Sequence, residues 1–516
     1  MSNHSHPAHS VDRRTFLGTA ALGLIVAGSA SPFMSHAHAA QTTRMGFGYG
    51  PLRKAGPLLA LPEGFSYTVL AESGTQTVGG YRVAGDQDAM GVFAGAAGGS
   101  VIVCNHEVGG DASEGVPHSE GLVYDPAGKG GTSTLVVSAD NEVQEHYTSL
   151  AGTVDNCAGG ITPWGTWLTC EETEERAGTH EDDGVTYTFE KDHGYVFEVD
   201  PTSAEANRGK ANIPLKFLGR FAHEAAAVDP ETGVIYLTED ADEPNGLYYR
   251  WTPPAGYQQG PGALHELAKS GDAEVGTLEA LVAFTPSGEH VTDLSMATRT
   301  NTTYAVEWVE VPDRDARETP VREQFEDNEV TRSRKLEGQW WADGGAYFVA
   351  SYARKEDGSI HEHDGQVWFL DPVKQTITLT TVFGVNRDPE AGGIDGPDNI
   401  TVSPHGGIIL AEDGDGLSHL VGVTEQGKAY KLAQNLLDDS EWAGPCFNAA
   451  GDTLFANIQG EPGRTFAITG PWGRPSNAAP DRGERDDQGA GPVIDTGYTG
   501  GSAFSSAQRR VSGVLD

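Results

Sequence analysis

A chain of 516 residues with 74 acidic and 34 basic side chains carries a net charge of −40. Such a surface repels nucleic acid and anionic membranes and suits divalent cations. With 68 glycines and 28 prolines, the composition fits a turn-rich β protein and falls short of the fraction that signals disorder.

Residues 1–39 read as an export signal and are set aside from the fold. Arg13-Arg14 precedes Phe16-Leu17, an apolar run follows over 19–30, and Ala37-His38-Ala39 supplies a cleavage site. The pattern predicts passage through the twin-arginine export machinery, cleavage near Ala39 and a periplasmic or secreted mature protein. The apolar run is too short to span a bilayer and no later segment is long enough, so no membrane insertion is expected.

Residues 40–475 are expected to form one catalytic domain, followed by a polar, Gly-rich tail over 476–516. A lead-in over 40–85 holds a short strand at 65–70. A pattern then recurs: a glycine, an apolar run and a polar residue six positions on. It joins Gly99 to Asn105, Gly165 to Glu171, Gly233 to Glu239, Gly345 to Ser351, Gly406 to Glu412 and Gly451 to Asn457. A second polar residue lies 14 or 15 positions upstream in four copies: Asn156 before Glu171, Glu224 before Glu239, Glu337 before Ser351, Asp398 before Glu412. The intervening segments read as strand, turn, strand, as at Pro404 to Gly407. A hairpin brings its first and last residues to one end. The polar residues are therefore expected in a ring on one face.

Further strands at 122–124, 195–199 and 366–370 end in Asp-Pro turns and read as outer strands. An insertion over about 255–335 mixes a helical stretch at 264–269 with a charged loop near 313–318, and reads as a cover for the site. The repetition predicts an all-β, six-bladed β-propeller with inserted segments. A propeller closes on itself, so a monomer is expected.

The candidate metal ligands are Glu107, Asn156, Cys157, Glu171, Glu172, Glu224, Glu239, Asp240, Glu337, Asp398, Asn399, Glu412 and Asp413. Oxygen donors dominate, which suits calcium. Cys157 is a soft donor that favours iron or zinc. So many carboxylates repel one another without cations, so several ions are expected. Cys104 and Cys170 share one register and read as small buried residues. Arg220, Arg354 and Arg464 are candidates for holding a phosphate. No H-E-x-x-H, P-loop or G-x-S-x-G motif is present, so no protein nucleophile is indicated.

The stretch Asn156-Cys-Ala-Gly-Gly-Ile-Thr-Pro-Trp-Gly-Thr-Trp-Leu-Thr-Cys-Glu171-Glu172 resembles the PhoX-type secreted alkaline phosphatases. Gly219-Arg-Phe-Ala-His-Glu224, Lys335-Leu-Glu337-Gly, Pro397-Asp-Asn399 with Ala411-Glu-Asp-Gly, and Thr465-Phe-Ala-Ile-Thr-Gly-Pro-Trp472 extend the resemblance over about 45–475. The resemblance implies a propeller phosphomonoesterase that acts on small organic phosphate esters with iron and calcium. It implies Cys157, Glu239 and Glu337 as iron ligands and the remaining carboxylates as calcium ligands. It also implies attack on phosphorus by a metal-bridging oxide rather than a side chain. The residues themselves leave two alternatives open. One is a calcium-dependent propeller lactonase or phosphotriesterase, which needs fewer ions and no thiolate. The other is a binding propeller in which the ions only stabilise the fold. The copies lacking carboxylates mark the side from which substrate is expected to approach.

Overall fold

The glycine turns reverse the chain between paired antiparallel strands. In the computed structural model, which describes residues 48–351, 361–388, 392–473 and 475–477, these pairs are the framework. They are Gln87–Ala94 with Ser100–His106, Asn156–Ile161 with Trp167–Glu171, His223–Val228 with Ile235–Glu239, Leu336–Ala342 with Gly345–Ala350, Pro397–Val402 with Ile408–Glu412, and Trp442–Phe447 with Thr453–Ile458. The expected export signal, Arg354 and nearly all of the expected tail lie outside the described residues.

Each pair is extended outward by further antiparallel strands. Gly130–Val137 and Val143–Thr153 extend the first, and Val196–Val199 the second. Tyr248–Thr252 and Thr277–Phe284 extend the third, and Gly365–Asp371 and Thr376–Phe383 the fourth. His419–Val423 and Ala429–Asn435 extend the fifth, and Arg464–Thr469 the sixth. The lead-in completes the last two sheets. Leu52–Lys54 and Leu59–Pro62 lie outside Ala429–Asn435, and Ser66–Glu72 pairs with Arg464–Thr469. The start of the chain thus covers edges that its end would leave open.

The first strands of the six pairs contact one another in chain order, and Trp442–Phe447 returns to contact Gln87–Ala94. The architecture is all-β and propeller-like, with only a few short helical turns among the described residues. None of those helices is long and apolar enough to cross a membrane.

The core fills the spaces between sheets. Leu70, Met90, Ile102, Leu135, Phe455 and Ala467 meet where the first and last sheets face each other. Burying each of the larger of these side chains stabilises the fold by about 1.5–3 kcal/mol. Both sheet faces are covered, so the inner strands read as continuous apolar runs rather than alternating ones. All four thiols, Cys104 and Cys170 included, are buried and none is in a disulfide.

The segment expected as a cover is largely part of the framework. The helix forms at Ala263–Ala268. Thr277–Phe284 is the outer strand of the third sheet, and Thr303–Glu310 bridges it to Thr376–Phe383, fusing the third and fourth sheets. The stretch after Thr303–Glu310 is pinned by arginines: Arg332 donates to the carbonyls of Asn245 (3.1 Å) and Phe325 (3.0 Å).

Candidate metal centre

Every innermost strand carries the same irregularity. The pairing register shifts between Gln87 and Met90, Asn156 and Gly159, His223 and Ala226, Leu336 and Gln339, Pro397 and Ile400, and Ala443 and Cys446. A bulge adds one unpaired residue, bends the strand and re-aims a side chain. The residue just after each shift begins is Asp88, Cys157, Glu224, Glu337, Asp398 or Gly444. Across each hairpin, one residue past its partner, stands Glu107, Glu172, Asp240, Ser351, Asp413 or Ile458. In the first five sheets they form two polar layers at the end where the hairpins open, and the sixth places Gly444 and Ile458 there.

Three overlapping groups bring potential ligand atoms within 4.8 Å of one another: Asp88–Glu107–Cys157, Cys157–Glu172–Glu224, and Glu224–Glu337–Asp398. They share members and so form a single chain of donors from the first sheet to the fifth. Cys157 Sγ lies 3.4 Å from Asp88 Oδ2. Burial, then the charges of Asp88, Glu224, Glu107 and Glu172, push the Cys157 thiol well above its ordinary range. Glu224 stands at the middle of the chain. Both of its carboxylate oxygens are buried and have no hydrogen-bond partner among the described residues. Burial, then Glu172, Asp398, Glu337 and Asp88, raise its carboxyl strongly. A buried carboxylate without donors costs several kcal/mol unless a cation compensates it. The residues therefore fit a group of bound cations.

The structure brings Glu107, Cys157, Glu172, Glu224, Glu337 and Asp398 together, and the other expected ligands lie outside these three groups. Glu171 accepts from His193 Nδ1 (2.6 Å) and from the backbone N–H groups of Val154, Gly194 and Tyr195. Glu239 accepts from Tyr249 Oη (2.6 Å) and the Leu247 N–H, and faces Arg322 at 3.4 Å. Glu412 lies 2.7 Å from His419 Nδ1 and accepts from the Asp395 N–H. These buried carboxylates tie the second strand of a sheet to the chain around it. Asn156 binds Thr153 and Thr169, and Asn399 accepts from the Gly444 N–H at 2.6 Å. Asp240 pairs with Lys335 Nζ at 2.6 Å, and Asp413 lies at the same end outside the three groups. Of the arginines, Arg220 is buried and donates to the carbonyls of Glu174, His193, Asp315 and Ala316. Arg464 pairs with Glu72 near the outer edge of the last sheet.

The bulges free carbonyl oxygens, and amides from the preceding sheet take them up. Asn105 Nδ2 donates to the carbonyls of Cys157 and Ala158, each at 2.8 Å. Asn457 Nδ2 donates to the Asp88 carbonyl. Asn105 and Asn457 belong to the repeat register, where they act as braces. Gly444, with φ 56°, replaces a ligand with close approach. A Cβ there would stand 2.7 Å from the Ala89 Cα. Gly444→Ala is therefore expected to lower stability by about 2–3 kcal/mol in urea unfolding, from the left-handed backbone and the clash combined. Unchanged stability would show that the last sheet does not press on the Asp88 strand.

Three residues of the site escape the spacing rule. Asp88 lies 19 positions before Glu107, because the strands of that hairpin, Gln87–Ala94 and Ser100–His106, are each two residues longer than those of the second. Lys335 and Gln459 are donors rather than ligands. Lys335 Nζ sits 3.5 Å from Glu337 as well as beside Asp240. Gln459 Nε2 donates to Glu107 Oε2 at 2.6 Å. The Lys335-Leu-Glu337 run was the available signal for the first.

A family model described as alkaline phosphatase PhoX matches residues 47–145 and 138–463. Among solved structures, Pseudomonas fluorescens PhoX in complex with vanadate, a transition state analogue, aligns with a TM-score of 0.59 at 19% identity, covering 82% of this chain and 98% of that one. That likeness shows a shared fold. The PQQ domain of pyranose dehydrogenase from Coprinopsis cinerea aligns over 81% of this chain and 98% of its own at 9% identity, with a TM-score of 0.33. A gluconolactonase from Xanthomonas campestris aligns over 78% and 99% at 12% identity, with a TM-score of 0.27. Scores this low carry no argument. No curated protein matches the chain.

Proposed function

The chain belongs to the alkaline phosphatase PhoX family, and on that premise we propose that its phosphomonoesterase reaction takes place at the donor chain running from Asp88 to Asp398. The observation that carries this reading is Glu224, whose two buried oxygens have no protein donor. The thiol-bearing groups, Asp88–Glu107–Cys157 and Cys157–Glu172–Glu224, would hold iron, because a thiolate prefers a softer ion. The all-oxygen group, Glu224–Glu337–Asp398, would hold calcium. Bound there, such cations supply Lewis-acid polarisation of the phosphoryl oxygens and lower the pKa of a water.

The chain's own residues do the rest. Burial of the donor chain keeps the local dielectric low, which strengthens charge interactions with a phosphate. Ser351 Oγ donates to Glu337 Oε1 at 2.6 Å and fixes that carboxylate's orientation. Lys335 Nζ stands at the partly exposed rim, between Asp240 and Glu337. A phosphate ester reaching the donor chain would meet this ammonium, which orients and neutralises a phosphoryl oxygen. Lys335 also has φ 40°, a conformation that costs a non-glycine residue energy and is found where a site dictates it. Lys335→Met is expected to remove a charge-assisted hydrogen bond of about 1.5–3 kcal/mol, roughly a ten- to hundredfold loss in kcat/KM. Steady-state kinetics on p-nitrophenyl phosphate check this; an unchanged kcat/KM removes Lys335 from phosphate binding.

A six-bladed propeller is the architecture we assign. It is supported by six like hairpins, each with the same bulge, whose first strands contact one another in a closed order. We further assign the chain to the periplasm or exterior as a monomer, with residues 1–39 as the twin-arginine signal and 40–475 as one catalytic domain acting on small organic phosphate esters. The deciding experiment is metal analysis of the purified protein beside p-nitrophenyl phosphate turnover. Iron and calcium together with phosphate release support the reading. Intact iron and calcium with no release from any phosphomonoester overturn it.

A further inference from the structure

The last sheet contributes no ligand to the donor chain, yet it is built against one end of it. Gly444 stands where the other inner strands place a ligand, and the space its missing Cβ would fill belongs to the Asp88–Met90 backbone. Asn457 donates to the Asp88 carbonyl from the same sheet. One residue past Thr453–Ile458, Gln459 reaches the side chains as well. Its Nε2 donates to Glu107 Oε2 at 2.6 Å and lies 3.4 Å from Asp88 Oδ2. Its own backbone is held, N–H to the Glu441 carbonyl at 3.1 Å.

We propose that Gln459 is a positioning residue for the Asp88–Glu107–Cys157 end of the centre, an inference that rests on the metal-centre reading above. A primary amide has two N–H groups, and here they serve carboxylates from two different strands. Their spacing is thereby tied to the frame of the last sheet rather than left to two mobile side chains. The choice of an amide matters. A lysine or arginine in this place would be a fixed positive charge competing with the cation. An amide orients the carboxylates while leaving their negative charge for the ion, and partners of this kind tune how tightly ligands hold a metal. Asn457, Gly444 and Gln459 together give the sheet without ligands one task, the placement of Asp88 and Glu107.

The test compares metal-loaded parent, Gln459→Ala and Gln459→Asn. The readouts are metal content per protein, the rate of metal release to EDTA, and the melting temperature of the loaded and stripped forms. Gln459→Ala is expected to release metal roughly ten- to a hundredfold faster than the parent. Gln459→Asn, whose amide is withdrawn by one methylene, should follow it. The stripped forms of all three should melt together. Parental release rates in both variants overturn the inference and leave the metal-centre reading intact. Equal losses of melting temperature in stripped and loaded forms reduce Gln459 to a fold contact and overturn it too. A parent that binds no metal overturns both readings.

Discussion

Cys157→Ser is expected to lower kcat/KM for phosphomonoesters by roughly 10²–10³-fold, equivalent to about 3–4 kcal/mol of lost transition-state stabilisation. The fold should survive. Cys157 is buried on an inner strand whose freed carbonyl is taken up by Asn105 rather than by its own side chain. Serine fits the space and keeps a polar atom near Asp88. What it lacks is a readily ionised soft donor, and Cys157 belongs to two of the three ligand groups. The loss should therefore appear as missing iron and missing turnover together, with a far-UV spectrum like the parent's. Full activity and parental iron in Cys157→Ser would remove the thiolate from the centre. An unfolded variant is controlled by Cys170→Ser, which also alters a buried inner-sheet thiol but lies outside every ligand group.

Glu224→Gln is expected to change sign with metal. In the stripped protein Glu224 is a buried carboxyl whose titration is raised well above its ordinary value of 4.5 by burial and by its acidic neighbours. The folded state then binds a proton that the unfolded state gives up more readily. By linkage, stability is undiminished below about pH 4.5 and falls as pH rises from there toward the folded-state value. Glutamine does not titrate, so stripped Glu224→Gln should be more stable than the stripped parent at neutral and alkaline pH, by about 1–3 kcal/mol. In the loaded protein the order reverses. Ligand binding stabilises the parent by about 2.7 kcal/mol at a hundredfold excess over Kd, and a variant missing a central ligand gains less. Thermal unfolding with and without chelator across pH 5–9 measures both halves. The same order of stability in both states would show that Glu224 faces no cation.

The framework was legible because it rests on local rules. Glycine turns and apolar runs mark the hairpins wherever they occur, and the helix at Ala263–Ala268 forms where its pattern lies. The site was legible only to the level of neighbouring residues. Glu171 and Glu172, Glu239 and Asp240, and Glu412 and Asp413 are adjacent acids with the same chemistry. Adjacent residues in a strand point to opposite sides, so one acid of each pair faces the third strand and the other faces the hairpins' open end. Which one does so depends on donors brought from elsewhere: His193, Tyr249 and His419 claim the first of each pair. Asp88 escapes the spacing rule because longer strands change its distance from Glu107, not because its chemistry differs.

From its residues alone this chain determines a turn-rich β repeat and an acidic set of potential ligands with one soft donor. Tertiary structure decides which of those acids meet. Hydrogen bonding within a hairpin follows from nearby sequence, but a bulge is visible only against the partner strand, and it is the bulge that turns Asp88, Cys157, Glu224, Glu337 and Asp398 inward. The contact of the last sheet with the first joins residues more than 350 positions apart, as Gln459 joins Asp88 and Glu107. No spacing rule reaches that far, because ring closure fixes it only once every sheet is in place.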